Sequence, residues 1–149
     1  MGWEGLMSAS FLFSSMGGIA IAILIAVAVV HMYWTLGGAV GIAVTMPGKT
    51  RRSLDRPPGV NSLLVSLSLL VAADLMLVRV GVFTSRIPEL GMRVACGALA
   101  AAFLARAIGD FHHFGFFKRV TGSRFSRLDT TVYSPVCAYL AAAIGVNTW

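Results

Sequence analysis

From residue 11 to residue 36 the chain carries no Asp, Glu, Lys or Arg. About 20 apolar residues wound as a helix cross the roughly 30 Å hydrocarbon core of a bilayer, so this run is long enough to span one. Three further apolar runs follow, at about 61–83, 91–111 and 130–149. The expected fold is therefore all-α: a four-helix transmembrane bundle with short loops, forming a single domain over residues 1–149.

Composition agrees with that solvent. Only 12% of the residues are charged and 57% are hydrophobic, and the mean hydropathy is +0.81, whereas a soluble domain is about one quarter charged. A net charge of +6 suits nucleic acid in principle, so the placement of the charges has to decide. Most cations sit between apolar runs and beside aromatic residues, which is the pattern of a membrane surface, and nucleic acid is excluded as a partner. Residues 1–10 carry only Glu4 and lack a basic leader, so the first run is read as a helix retained in the mature chain.

Helix one ends in His31, Tyr33 and Trp34, an interfacial aromatic belt, followed by Gly37 and Gly38 as a breaker. Residues 39–46 are apolar but too short to span again, and are read as a loop or re-entrant piece. Residues 47–59 hold Lys49, Arg51, Arg52 and Arg56 among prolines and glycines, a polar turn. The third loop carries Lys118, Arg119, Arg124 and Arg127, and the second only Arg86 and Arg93. Loops one and three share a side, so the positive-inside rule places that side in the cytoplasm and both termini on the non-cytoplasmic side, in a multi-pass protein of the cell inner membrane.

Gly37 with Gly41, Gly97 with Ala101, and Ala138 with Ala142 stand at small-xxx-small spacing, which supports close helix packing. Cys96 and Cys137 lie in separate apolar runs, without a metal-binding spacing, and are expected as free thiols about 15 Å apart in depth.

Ionisable groups inside a bilayer cost roughly 2.5–3.5 kcal/mol each and commonly mark function. The candidates are His31, Asp74, Arg79, Arg106 and Asp110. Arg106, Asp110 and His113 fall within about 60° of arc if helix three continues that far, alongside Phe103. In the assigned orientation they lie at the same depth as His31, Tyr33 and Trp34 of helix one, Asn61 of helix two, and Tyr133 and Ser134 of helix four. These residues would line a polar pocket at the cytoplasmic end, or Arg106 and Asp110 simply neutralise each other and staple the bundle. Asp74 lies about 20 Å from that end and either pairs with Arg93 or is protonated. The aromatic and basic stretch around Lys118 reads as an interfacial segment attracted to anionic lipid.

The stretches HMYWTLGG (residues 31–38), RAIGDFHHFGFFKRV (106–120) and RLDTTVYSPVCAYLA (127–141) together resemble a widespread bacterial family of small four-helix membrane proteins grouped as a domain of unknown function. Its motif residues would include His31, Trp34, Arg106, Asp110, Lys118, Asp129, Tyr133 and Ser134. The resemblance implies the topology but no established activity, cofactor or substrate.

Three functions fit the residues. One is a membrane-embedded binding protein or enzyme acting on an amphiphilic lipid or isoprenoid-like ligand from the inner leaflet. Arg106 would then hold an anionic group, Asp110 or His31 would act as acid or base, and Trp34 and Phe103 would line the apolar part. Another is a redox subunit holding haem b or a quinone through His31 and His112 or His113. The third is a non-catalytic accessory or immunity protein, working as a homo-oligomer or with a partner membrane subunit.

Overall fold

The computed structural model describes residues 3–41, 59–119 and 121–149, with side chains from residue 14 onward. The basic turn at Lys49, Arg51, Arg52 and Arg56, and most of the short apolar piece before it, lie outside the described residues.

Helix α1 runs Trp3–Thr35, α2 Gly59–Arg79 and α3 Glu89–Ile108. A short α4, Arg124–Leu128, passes through a π-helical turn, Asp129–Tyr133, into α5, Ser134–Thr148. Among the described residues there is no strand, so the fold is all-α. Three segments are long and apolar enough to cross a membrane: Ser14–Thr35, Gly59–Arg79 and Glu89–Ile108.

The helix ends differ from the sequence expectation for local reasons. α1 starts at Trp3, eight residues before the expected start at residue 11. α2 stops at Arg79 instead of reaching 83, because Gly81 takes a left-handed φ of +81°. Its N–H then bonds Val78 O at 3.1 Å, and Val82 N–H bonds Leu77 O at 2.9 Å, closing the helix end. α3 begins after Pro88 and ends at Ile108, where Gly109 turns the chain at φ +94°. Asp110 is therefore outside the helix, and the arc that placed it beside Arg106 does not exist.

The last helical run begins at Arg124, earlier than the expected 130. Ser123 caps it, its hydroxyl accepting from Ser126 N–H at 2.9 Å. Pro135 lies two residues beyond the end of the π turn; it has no N–H to donate to the preceding turn, and its ring crowds the carbonyl below. The chain answers by widening to i→i+5 pairing, Ser134 N–H bonding Asp129 O. The π turn rotates the side chains that follow it relative to an unbroken α-helix.

α1 packs most extensively on α2, and α3 on α5, while α1 and α5 join the two pairs. Their core is formed by Ala20 and Leu24 from α1, Ala73 and Met76 from α2, Cys96 from α3, and Ala143 and Ile144 from α5. Polar bonds cross the α1–α2 seam: Ser66 Oγ donates to Ala28 O at 2.9 Å, and Ser62 Oγ, one turn earlier, donates to His31 O at 3.0 Å. Where lipid gives helices no hydrophobic reason to associate, such bonds contribute roughly 0.6 kcal/mol each. Tyr139 Oη donates to Met16 O at 3.0 Å and ties α5 to α1.

The close approach in α1 is made at Gly17, where an added Cβ would come within 2.5 Å of Val80 Cγ1. Gly37 and Gly41, expected as a helix-packing pair, instead lie in the turn after α1 with φ of +99° and +84°. A Cβ on Gly97 would meet nothing, so that pair packs no helix either. Cys96 is buried and Cys137 half-buried, both as free thiols.

Candidate functional site

The segment between α3 and α4 folds back on the end of α3. Phe116 N–H bonds Ala107 O at 2.9 Å, which presses Gly115 against Gly109. A Cβ on Gly109 would lie 1.9 Å from Phe114 O, and one on Gly115 2.3 Å from Ile108 O, so the turn admits only glycine at both positions. Asp110 holds the turn from inside: its Oδ1 accepts from the N–H groups of His112, His113 and Phe114 at 2.9, 2.7 and 3.0 Å. These bonds offset the unfavourable φ of +60° at Phe111. Burial works against the charged form, but the three N–H groups outweigh it and hold the Asp110 carboxyl down to about 2. His113 stands 3.7 Å from its other oxygen. Asp110 is thus a turn-forming residue, and its oxygens are not directed at Arg106.

Arg106 pairs instead with Asp129, at 2.9 Å from Nη2 to Oδ1. Asp129 is fully buried. Its Oδ2 accepts from Gly115 N–H at 2.7 Å and from Lys118 Nζ at 2.9 Å, with Ser134 Oγ at 3.4 Å. Lys118 also donates to Gly115 O and to Thr130 Oγ1, at 3.1 and 2.6 Å. Its side chain is 3% exposed, which corrects the reading of Lys118 as a lipid-facing interfacial cation. The Arg106 guanidinium also lies over the Phe114 ring, 4.8 Å from its centre. Lys118, Arg106 and Gly115 N–H offset the cost of burying the Asp129 carboxylate. The result is a carboxylate-centred clamp that ties α3, the returning turn and the π turn into one body.

A second feature adjoins it. A groove of about 510 Å³ runs along α1, lined chiefly by Val27, Val30, His31, Trp34, Val40 and Tyr133. The π turn serves both features, since Asp129 opens it toward the clamp and Tyr133 closes it at the groove. Trp34 is fixed by its indole N–H, which donates to Val40 O at 2.8 Å, and by the edge of His31, with ring centres 4.9 Å apart. His31 Nδ1 lies 3.2 Å from Ser62 Oγ.

The residues expected to share one pocket are therefore divided. His31, Trp34 and Tyr133 meet in the groove, whereas Arg106 and Ser134 belong to the clamp. Phe103 is half-buried against the helix core. Tyr33 is exposed, its ring lying over Gly38, and Asn61 and His113 are exposed as well. His112 and His113 meet edge to face, with ring centres 4.4 Å apart. Among the described residues no group of three or more His, Cys, Asp or Glu side chains is placed to hold a metal ion.

At the opposite end, Glu89 bridges Arg79 at 3.1 Å and Arg93 at 2.8 Å. Arg79 also bonds Thr148 O, the carbonyl end of α5. Arg93 is thereby committed to Glu89 and not to Asp74, which sits on the exposed face of α2 with no ion pair among the described residues.

Sequence reading did not single out Ser62 and Ser66, although two serines four residues apart in an apolar helix are a signal for hydrogen bonding on one face. Asp129 entered only through the family motif. Its own signal was a carboxylate at the threshold of an apolar helix with no cation three or four residues away on the helical side.

No curated protein matches the chain, and no solved structure does. A family model matches residues 24–144, most of the chain, and the protein therefore belongs to the family described as "Protein of unknown function (DUF3995)".

Proposed function

We propose that the chain is a multi-pass protein of the cell inner membrane that binds an amphiphilic, lipid- or isoprenoid-like molecule in the groove along α1. In this reading the run from Arg124 to Thr148 makes a fourth crossing, both termini are non-cytoplasmic, and the groove opens in the inner leaflet. The carrying observation is the groove itself: about 510 Å³, within the usual range for ligand sites, with aliphatic walls and polar side chains at one end. Val27 and Val30 are exposed on α1 and open toward lipid, so an acyl or prenyl chain reaches them laterally without passing through water.

The clamp supports this role by position. It fixes the π turn, and through it Tyr133, against α3, so that the wall of the groove is rigid. Arg106 holds architecture in this reading, in place of the anion-binding role that its isolated position in helix three suggested.

Native mass spectrometry of gently extracted protein tests the proposal. A bound species of lipid-like mass is expected on the wild type and absent from Val30→Trp, which fills the groove. The same adduct on both proteins would remove the groove as the binding site.

A further inference from the structure

The polar end of the groove has a definite hydrogen-bonding character. Ser62 has one hydroxyl proton, and its Oγ lies 3.0 Å from His31 O and 3.2 Å from His31 Nδ1. Donation to Nδ1 would leave two oxygens facing each other at 3.0 Å without a proton between them. Donation to the carbonyl, which also receives the Thr35 hydroxyl, leaves Oγ free to accept from Nδ1–H, so both contacts become hydrogen bonds. Among the described residues no carboxylate partners the ring, so nothing there supports an imidazolium, and a neutral ring protonated on Nδ1 has a lone pair on Nε2. Nε2 lies across the ring from Ser62 and α2.

The other polar groups narrow the choice further. The Trp34 N–H is already given to Val40 O. Among the described residues no Lys or Arg lines the groove. Arg106 and Lys118, the cations of the adjoining clamp, are both turned to Asp129. His31 and Tyr133 both line the groove; Nε2 is the His31 ring nitrogen that Ser62 does not engage, and the Tyr133 hydroxyl makes no hydrogen bond among the described residues. A phosphate or carboxylate would find no balancing cation among the described lining residues, and burying it there carries a large desolvation cost. A hydroxyl group needs only one acceptor.

We infer that the groove is built for a neutral lipid alcohol, a long-chain or isoprenoid alcohol whose hydroxyl donates to His31 Nε2, and discriminates against the phosphorylated form. This rests on the amphiphile-binding reading above and names the headgroup that the site selects. The alkyl or prenyl chain lies along Val27 and Val30, and Tyr133 closes the polar end.

The test uses the full chain in phosphatidylcholine vesicles and three probes that share one photoactivatable isoprenoid chain. Their headgroups are a free hydroxyl, a methyl ether and a monophosphate. Labelled residues are located by mass spectrometry. The alcohol should label α1 about ten-fold more than the ether, which cannot donate, as one hydrogen bond at a desolvated site allows. The monophosphate should be weaker still. His31→Phe should bring alcohol labelling down to the level of the ether while the ether continues to label the groove, which shows that the bundle is still folded.

Equal labelling by all three probes would show that the groove takes chains without reading the headgroup, and only the present inference fails. A preference for the monophosphate overturns it in favour of an anion site. Absence of groove labelling by any of the probes removes both this inference and the amphiphile-binding reading.

Discussion

Lys118 Nζ stands 2.9 Å from Asp129 Oδ2 with the lysine side chain 3% exposed and the aspartate not exposed at all. The two are eleven residues apart and separated by a turn, so their pairing closes that turn onto the helical run that follows. Buried pairs of this kind add little net stability against an apolar replacement, but breaking one leaves an uncompensated charge.

The first prediction follows from the unequal roles of the partners. Asp129→Asn removes the counter-charge from both Lys118 and Arg106 and should cost about 3–5 kcal/mol. Lys118→Met leaves Arg106 to balance Asp129 and should cost less, roughly 1–3 kcal/mol. Unfolding in detergent, followed by circular dichroism, measures both. A Lys118 variant as damaged as the Asp129 variant would mean that Asp129 is not the centre of the clamp.

Arg106 separates architecture from binding. Arg106→Ala loses a charged hydrogen bond and the stack on Phe114, so stability should fall by about 1.5–3 kcal/mol. Where the variant remains folded, lipid labelling of α1 should persist, because Arg106 does not line the groove. Loss of labelling with stability unchanged would return Arg106 to the role of a ligand-binding residue.

Asp110 makes stability depend on acid. Its pKa is about 2 in the folded chain against an ordinary 3.8. A depressed carboxylate stabilises the fold above the ordinary value and loses that contribution as the pH falls through the folded one. Asp110→Asn should therefore be less stable than wild type at pH 5, and the gap should close between about pH 4 and pH 2. Melting temperatures of the two proteins across that range give the comparison, and a gap independent of pH would show that charge is not what holds the turn.

Topology follows from the proposed four crossings. A cysteine placed at Thr121, in the turn before α4, should resist a membrane-impermeant maleimide in intact cells and react once the cells are opened. Both native cysteines would first be replaced by alanine. Labelling in intact cells would invert the orientation and move the groove to the outer leaflet.

What the residues by themselves determined is the part of the protein governed by solvent and by local chain geometry. Apolar runs long enough to cross a bilayer made the chain helical, because a backbone in lipid must satisfy its own hydrogen bonds, and the three span-length segments found in the fold overlap those runs. Gly37 and Gly38 marked the end of α1, whereas the end of α3 was expected three residues too late, at 111 instead of Ile108. Which side chains meet was decided by the tertiary structure. A one-dimensional reading pairs charges by helical spacing, so Arg106 was set beside Asp110. In the fold Gly109 turns the chain between them, the returning turn spends Asp110 on backbone N–H groups, and the widened π turn before Pro135 delivers Asp129 to Arg106. Long-range pairing of that kind depends on where a turn sends the chain, and helical periodicity stops being informative at the first residue that leaves the helix.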